Sequence, residues 1–209
     1  MRFKYLLWDF DGTLFDTYPA LIQIIERALA DLGGHETRQE IGRLLDITMD
    51  ECFKVLLERH HLDAAAFDAR LDFHYAQTTI HDRPPFPGAI RVCERVIAAG
   101  GRNYLFTHRG HKTLTELLDG YGVGGLLADR LSTADGYPLK PDPAGFIALI
   151  EKHDLPRDQV LAVGDRDLDV VAGQQAGVKT CLYDTVPSPG VHPDYLISSF
   201  EELENILEL

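Results

Sequence analysis

The sequence predicts an α/β protein, a doubly wound parallel sheet that carries an inserted all-helical domain. Short apolar runs alternate with helical patterns over most of the chain, which is typical of parallel βαβ units. Residues 17–83 interrupt this alternation, because no segment among them has the pattern of a strand. The length of 209 residues allows one ordinary domain with a sizeable insertion.

The predicted strands are short apolar runs that end in turn residues or acids. The first run, residues 2–8, is followed by Asp9 and then by the turn sequence Asp-Gly-Thr. Later runs of the same kind occupy residues 103–107, 160–165, 178–184 and 194–198.

Helical patterns separate these strands. Residues 89–100 and 112–122 each run to a glycine, the usual helix stop, and Pro143 occupies a first-turn position of the helix predicted over residues 143–153. Near the C-terminus, a serine followed three residues later by a glutamate forms a capping-box pattern, which predicts a last helix.

The insertion is predicted to be helical throughout. Residues 21–32 repeat apolar side chains at the spacing of one helix face, and residues 49–62 and 64–77 also have helical patterns. The proline-rich segment 82–88 suits a stiff hinge at its exit. We therefore expect a core of residues 1–16 and 84–209, with residues 17–83 inserted at the carboxyl end of the first strand.

Composition limits the classes of partner and compartment. The chain has 20 Lys plus Arg against 33 Asp plus Glu, and its formal charge of −13 repels nucleic acid and anionic membranes. The three cysteines form no C-x-x-C pair, which favours a reduced, cytoplasmic setting. No apolar run approaches the roughly 20 residues that span a bilayer, and no signal-peptide pattern is present. Oligomeric state stays open.

Polar side chains follow three of the predicted strands. Asp9 and Asp11 follow the first strand, Thr107 ends the second, and Asp165 ends the run at 160–165. Ligands of open parallel sheets bind beyond the carboxyl ends of the strands. A carboxylate at the end of a buried strand also needs a partner, because an unpaired one there is expensive. These residues therefore predict one site at that edge of the sheet.

The order of these residues resembles the haloacid dehalogenase superfamily of phosphohydrolases, in particular its phosphoglycolate phosphatase branch. The family's D-x-D-G-T motif is matched at residues 9–13, its strand-ending Thr at Thr107, its Lys at Lys140, and its G-D-x-x-x-D motif at residues 164–169. The resemblance covers nearly the whole chain. It implies a Rossmann-like core and a helical cap inserted after the first motif.

The resemblance also implies a role for each motif residue in hydrolysing a small phosphorylated metabolite. Asp9 would be the nucleophile that forms an aspartyl-phosphate. Asp11 would protonate the leaving oxygen and then deprotonate the attacking water. Thr107 would donate its hydroxyl to a phosphoryl oxygen, while Lys140 would hold Asp9 and the phosphate together.

Charge balance predicts a divalent cation at this site. Its four acids would carry up to −4, whereas one Mg²⁺ and the Lys140 ammonium bring the sum to −1. Mg²⁺ prefers oxygen ligands and commonly uses one or two carboxylates. The candidate metal residues are Asp9, Asp11 (through its carbonyl), Asp165 and Asp169. Asp169 lies one helical turn beyond Asp165 and is favoured over Asp167, which stays an alternative.

Substrate contacts are predicted on both the core and the cap. The candidates are Gly12, Thr107, His108, Lys140 and Arg43. Arg43 lies between two predicted cap helices, and a solvated loop arginine is its alternative interpretation. Arg109, in the loop after Thr107, is a further phosphate contact to consider. His108 and His111 have H-x-x-H spacing but lack the Glu or Cys that a zinc site would require.

Other activities are compatible with parts of this pattern. A sugar phosphomutase of the β-phosphoglucomutase type keeps the same motifs. Dehalogenases of the superfamily and phosphonoacetaldehyde-type hydrolases lack the second acid, so Asp11 disfavours both. From another class, a signalling receiver domain also surrounds a phosphorylated Asp with acids, a Thr and a Lys. Receiver domains lack a helical insertion, and their acceptor does not follow the first strand.

Overall fold

The structure is a computed structural model that describes the whole chain apart from the side chain of Thr133. It divides into two compact units. One unit, here called the core unit, comprises Met1–Asp16 and Pro85–Leu209, and the other, the cap unit, comprises Thr17–Pro84.

The core unit contains one parallel sheet with the strand order β3-β2-β1-β4-β5-β6. The strands are β1 (Tyr5–Trp8), β2 (Arg102–Phe106), β3 (Leu127–Leu131), β4 (Val160–Gly164), β5 (Lys179–Tyr183) and β6 (Tyr195–Ile197). The predicted α/β class is therefore confirmed. The chain order reverses on the two sides of β1, so the end of β1 is the topological switch point at which such sheets bind ligands.

Five α-helices of the core unit precede, connect or follow its strands after β1. They are α5 (Ala89–Ala98), α6 (His111–Gly120), α7 (Ala144–Lys152), α8 (Asp167–Gln175) and α9 (Phe200–Leu207). The last helix begins as its serine predicts, because the Ser199 hydroxyl accepts the Glu202 N–H at 3.3 Å. The Glu202 carboxylate accepts the Ser198 N–H at 2.7 Å and so completes the cap one residue earlier.

Strand β3 was not predicted from the sequence. It lies at the sheet edge, where it pairs with β2 alone among the described strands, and Leu131 is its one buried residue. An edge strand buries little, so its sequence "LADRL" lacks the continuous apolar run that marks β1 and β4.

A buried apolar cluster on one side of the sheet fixes β1. It includes Leu7, Tyr104, Phe106, Phe146, Leu149 and Ala162. Fully burying a Leu or Phe side chain contributes about 1.5–3 kcal/mol. The buried Trp8 indole N–H donates to Asn103 Oδ1 at 3.0 Å, which satisfies the polar atom of the residue before Asp9. The strand end that carries the predicted site is thus held from both sides.

The cap unit is a set of helices with its own apolar core. The helices are α1 (Tyr18–Asp31), α2 (Arg38–Ile47), α3 (Met49–His60) and α4 (Ala64–Tyr75). Three of them begin at side-chain caps, in which Thr37, Thr48 and Asp63 accept backbone N–H groups at 3.2, 3.0 and 2.9 Å. Buried residues of this core include Ile25, Leu29, Leu45, Leu56 and Phe67.

Helix α2 corrects the prediction that Arg43 lies between two helices. The helix begins after the Thr37 cap. One short face of it is buried and consists of Ile41, Leu44 and Leu45. Gly42 and the polar residues around it weaken the helical signal in the sequence. No described helix combines the length and apolar character needed to cross a membrane.

Candidate active site

The turn after β1 places the first two candidate acids. The Asp9 N–H donates to the Val163 carbonyl at 2.9 Å and extends the pairing of β1 with β4. Gly12 has φ of +81°, a conformation that glycine adopts without strain, and its N–H donates to the Phe15 carbonyl at 2.9 Å. The rings of Phe10 and Phe15 stack at 4.5 Å. Gly12 thus serves the turn itself, and the turn fixes the positions of the acids.

Asp9 shares the ammonium group of Lys140 with Asp169. The Lys140 side chain is fully buried, its Nζ donates to Asp9 Oδ1, and it donates to Asp169 Oδ1 at 2.5 Å. Burial raises the pKa of Asp9 to about 6 although Lys140 opposes this rise. Burial also lowers the pKa of Lys140, but the carboxylates of Asp169 and Asp9 outweigh that effect and raise it. Lys140 is therefore a permanent cation inside the cluster.

A third carboxylate crowds the same space. Asp9, Asp165 and Asp169 each offer an oxygen within 4.8 Å of the other two, and all three are buried. Burial, followed by the charges of Asp9 and Asp169, raises the pKa of Asp165 well above its ordinary value. The Thr13 hydroxyl donates to Asp165 Oδ1 at 3.2 Å. Like charges at this spacing need a further cation close to them.

The donor set fits a hard divalent cation. Asp9 Oδ2 is buried and has no hydrogen-bond partner among the described atoms, although its other oxygen contacts Lys140. A buried carboxylate oxygen without a partner is unfavourable, and oxygen donors from three acids are the ligands that Mg²⁺ prefers. The residues present therefore fit the predicted Mg²⁺.

The structure brings Asp169 to this cluster and directs Asp167 elsewhere. Asp169 Oδ2 accepts the Arg166 N–H at 3.1 Å, while its other oxygen contacts Lys140. A Cβ at Gly164 would lie 2.3 Å from Asp169, so the close approach requires glycine there. Asp167 begins α8 and accepts the Ser188 N–H at 3.3 Å.

Thr107 and His108 extend the site from the end of β2. Thr107 is buried and its Oγ1 accepts the Arg109 N–H at 3.1 Å. His108 Nε2 accepts the backbone N–H of Lys140 at 2.8 Å. Burial, and then the charges of Lys140 and Arg166, lower the pKa of His108 to about 4. A neutral His108 thus fixes the backbone that carries Lys140, a role that the sequence did not predict.

Asp11 lies in an ion pair with Arg109. The Arg109 Nε lies 3.0 and 3.1 Å from the two Asp11 oxygens, and a terminal guanidinium nitrogen also donates to Oδ1. The side chains are 14% and 23% exposed. No sequence signal joins these residues, which are far apart in the chain. The sequence indicated Arg109 as a candidate phosphate contact in the loop after Thr107, but not as a partner of Asp11.

The comparisons with known proteins identify the family of the chain. The family model described as haloacid dehalogenase-like hydrolase matches residues 6–183. The chain belongs to the haloacid dehalogenase-like hydrolase family. The resemblance stated from the motifs is therefore confirmed, and the chain is a hydrolase of that family.

Relatives of this hydrolase cover its full length at modest identity. A phosphoglycolate phosphatase from Mannheimia succiniciproducens is 25% identical over 99% of each chain, and one from Vibrio parahaemolyticus is 28% identical over 98% of this chain and 96% of its own. The crystal structure of a predicted phosphoglycolate phosphatase from Haemophilus somnus superposes with a TM-score of 0.85 at 23% identity, covering 99% of both chains. The last likeness shows the fold.

Arg43 and His111 each contact a residue of their own unit. Arg43 belongs to α2 of the cap unit, where it donates to the two Glu40 oxygens at 2.8 and 2.9 Å and remains 60% exposed. Its contact with substrate stays a prediction. His111 Nδ1 lies 3.3 Å from the Ser132 hydroxyl, at the start of α6.

Proposed function

We propose that this hydrolase is a Mg²⁺-dependent phosphatase that cleaves a small phosphorylated metabolite through an aspartyl-phosphate on Asp9. The observation that carries the proposal is the state of Asp9 itself. One of its buried oxygens contacts Lys140, and the other lacks a hydrogen-bond partner among the described atoms, beside two further acids. The curated relatives named phosphoglycolate phosphatase support the same reaction class.

Asp9 is the proposed nucleophile. At neutral pH, a carboxyl with a pKa of about 6 is mostly ionised, and the Lys140 ammonium holds one oxygen in place. In the first step, an Asp9 oxygen forms a bond to phosphorus while the bond from phosphorus to the ester oxygen breaks in line. Fixing the attacking oxygen matters because a displacement of about 1 Å can lower the rate on the order of 100-fold.

Asp11 is the proposed acid and base. It donates a proton to the departing ester oxygen, so the alcohol leaves neutral. It then takes a proton from the water that attacks phosphorus, which returns Asp9 as a carboxylate and releases phosphate. A group two residues after the nucleophile, on the same tight turn, is placed to serve both steps.

Mg²⁺ would be held by Asp9, Asp165 and Asp169, with the Asp11 carbonyl added by family resemblance. When bound, it supplies charge neutralisation and orientation of the phosphoryl group. Thr107 and Lys140 provide the chain's own donors to that group. Thr107 Oγ1 accepts a bond from the Arg109 N–H, so its hydroxyl proton remains for a phosphoryl oxygen.

The proposed substrate is a small phosphomonoester, and phosphoglycolate is the first one to test. The enzyme is proposed to act in the cytoplasm, since its three cysteines are free and buried, as suits a reducing compartment. Neither nucleic acid nor membrane is a proposed partner, because the chain carries a charge of −13.

A turnover screen tests this function. The substrates are phosphoglycolate, sugar phosphates, nucleotides and pyrophosphate, each assayed with Mg²⁺ and with chelator, using the natural protein and Asp9→Asn. We expect turnover that requires Mg²⁺ and is lost in Asp9→Asn. Asp16→Asn is the matched control, since Asp16 is an acid of the same segment to which no role is assigned.

Several outcomes of the screen decide against the proposal. Equal turnover by Asp9→Asn would contradict the assigned nucleophile, and turnover unchanged by chelator would contradict the metal. Conversion of glucose 1-phosphate into its 6-phosphate, faster than release of phosphate, would favour the phosphomutase alternative.

A further inference from the structure

We propose that Arg109 is a positioning residue that holds Asp11 in the substrate-free enzyme and moves to a phosphoryl oxygen when phosphate binds. Its guanidinium reaches both Asp11 oxygens, with Nε at 3.0 and 3.1 Å. The inference rests on the proposed function, since it acts through the proposed acid and base. The inference adds one step to that function. The phosphoryl group of the substrate takes Arg109 away from Asp11 and so releases Asp11 to act on that same substrate.

The ion pair and the proposed role of Asp11 compete for the same two oxygens. The Arg109 Nε contacts both Asp11 oxygens, and a terminal guanidinium nitrogen also donates to Oδ1. To act on the leaving oxygen, an Asp11 oxygen has to face the ester instead of the guanidinium. The Arg109 fork therefore has to leave at least one Asp11 oxygen before the ester bond breaks.

A phosphoryl group is the natural replacement for the Asp11 carboxylate. Both groups present pairs of anionic oxygens to the planar fork of an arginine. An incoming phosphate thus competes with Asp11 for the same donors. Arg109 therefore always has an anionic partner, and its ion pair with Asp11 breaks only when phosphate binds.

The position of Arg109 makes this movement short. Its backbone N–H bonds to Thr107 Oγ1, and Thr107 follows β2, the neighbour of β1. Arg109 lies two residues beyond Thr107, which follows β2, and Asp11 lies two residues beyond Asp9, which follows β1. Adjacent strands are about 4.8 Å apart, so the segments that carry Arg109 and Asp9 start side by side at the same edge of the sheet.

The guanidinium also lies beside an aromatic ring. Its Cζ lies 5.7 Å from the centroid of the Phe10 ring, and Phe10 is fixed by stacking on Phe15. An aromatic face attracts a cation without fixing its hydrogen-bond direction. Arg109 can therefore keep this support while its donors change partner.

A double-mutant cycle on phosphate binding tests the exchange. Inorganic phosphate is titrated calorimetrically, with Mg²⁺ present, into the natural protein, Asp11→Asn, Arg109→Gln and the double variant. We expect Asp11→Asn to tighten phosphate binding about tenfold when Arg109 is present, because the donors no longer have to be taken from Asp11. With Arg109→Gln as the background, the same change should tighten binding by about twofold or less.

Equal effects of Asp11→Asn in both backgrounds would overturn the proposal, since the Asp11 charge would then act on phosphate without Arg109. Lys112→Gln is the control background, because Lys112 is an exposed cation of α6, and there the tenfold effect should persist. If Arg109→Gln fails to fold, Arg109→Lys replaces it. Lysine keeps the charge but lacks the fork, so the effect should shrink at least threefold; an undiminished effect would overturn the proposal.

Steady-state kinetics separate this inference from the proposed function. Arg109→Gln should raise KM for an alkyl phosphate more than it lowers kcat, whereas a purely structural defect would lower kcat alone. A natural protein that turns over alkyl phosphates but gives an additive cycle would retain the proposed function and lose the exchange. A natural protein that neither binds phosphate nor hydrolyses its esters would overturn both.

Discussion

In each unit of the molecule, one basic side chain contacts two carboxylates, but the two clusters differ in burial. Lys140 of the core unit has 0% side-chain exposure, and its partners Asp9 and Asp169 have 2% and 3%. Arg59 of the cap unit is 42% exposed.

The pKa values of the acids in the two clusters are shifted in opposite directions. In the cap unit, a hydrogen bond from Arg43 is the largest influence on Glu40 and, with the help of Arg59, lowers its pKa to about 2. In the core unit, Asp9 also contacts a cation, yet burial raises its pKa to about 6. The exposed cluster is satisfied by its own cations and water, whereas the buried one is short of positive charge. That shortage distinguishes a ligand site from a surface ion-pair network.

Removing the basic residue from each cluster should give the largest contrast. We expect Lys140→Met to lower the free energy of unfolding by about 3–5 kcal/mol in chelator at pH 8, because it leaves buried acids unpaired. Turnover should fall on the order of 100-fold or more, since Asp9 loses its fixed position. Arg59→Met should change neither quantity measurably. Denaturant unfolding and steady-state kinetics measure both, and equal effects would refute the contrast.

Adding Mg²⁺ should stabilise the protein through the buried acids alone. At a concentration of 100 times its Kd, a ligand that binds only the folded state adds about 2.7 kcal/mol. The Tm should therefore rise with Mg²⁺ in the natural protein and in Glu40→Gln, and this rise should vanish in Asp165→Asn. Loss of the rise in Glu40→Gln would place the cation in the cap unit and contradict the assignment.

Replacing His108 tests a smaller, pH-dependent contribution inside the core unit. Its pKa is about 4 when folded against an ordinary value of 6.5, so the unfolded chain binds the proton more tightly between these values. Stability from a neutral His108 is therefore present above pH 6.5 and is lost as the pH falls toward 4. His108→Gln can still accept the Lys140 N–H but does not titrate.

The Tm of the natural protein should thus fall relative to that of His108→Gln as the pH is lowered from 7 to 4.5. Asp9 titrates in the same range with the opposite sign, because its folded pKa is raised, but it is present in both proteins and cancels in their difference. His108→Phe leaves the Lys140 N–H without its acceptor and should be less stable by about 1–3 kcal/mol at pH 7. A constant difference in Tm across the pH range would exclude a buried neutral histidine.

Asp16 should give the smallest effect. It lies on the same segment as Asp9 and Asp11, and burial raises its pKa, but no catalytic role is assigned to it. We expect Asp16→Asn to keep turnover within about threefold of the natural protein, whereas Asp11→Asn should lose about 100- to 10,000-fold with an alkyl phosphate. Similar losses in the two variants, measured under saturating substrate, would mean that the acids of this segment do not have separate roles.

The sequence predicted the part of the site that follows from topology. Parallel strands end at one edge of a sheet, so residues as distant as Asp9 and Asp165 were expected to converge, and the structure places an oxygen of each within 4.8 Å of the other. The buried strands were equally predictable from their continuous apolar runs. By contrast, β3 was missed because an edge strand is half exposed, and α2 was missed because it is short and its signal depends on a cap.

The contacts between side chains of the loops could not be predicted from the sequence. Nothing in the spacing of Asp11 and Arg109 indicates that they meet, because loop conformation decides where a flexible arginine ends. The same holds for the hydrogen bond that His108 accepts from the Lys140 N–H, while its contact with substrate stays a prediction. Motifs predict which residues lie near a site. The conformation of the loops determines which hydrogen-bond partners those residues have in the substrate-free protein.

Identification of the phosphorylated residue tests the central claim most directly. Substrate labelled in its phosphoryl group is mixed with the Mg²⁺-loaded enzyme, quenched in acid within milliseconds, and digested for peptide mass spectrometry. The account predicts label on the peptide that contains Asp9, decaying at the rate of turnover and absent in Asp9→Asn. Label on a different residue, or Asp9→Asn turnover equal to that of the natural protein, would contradict it.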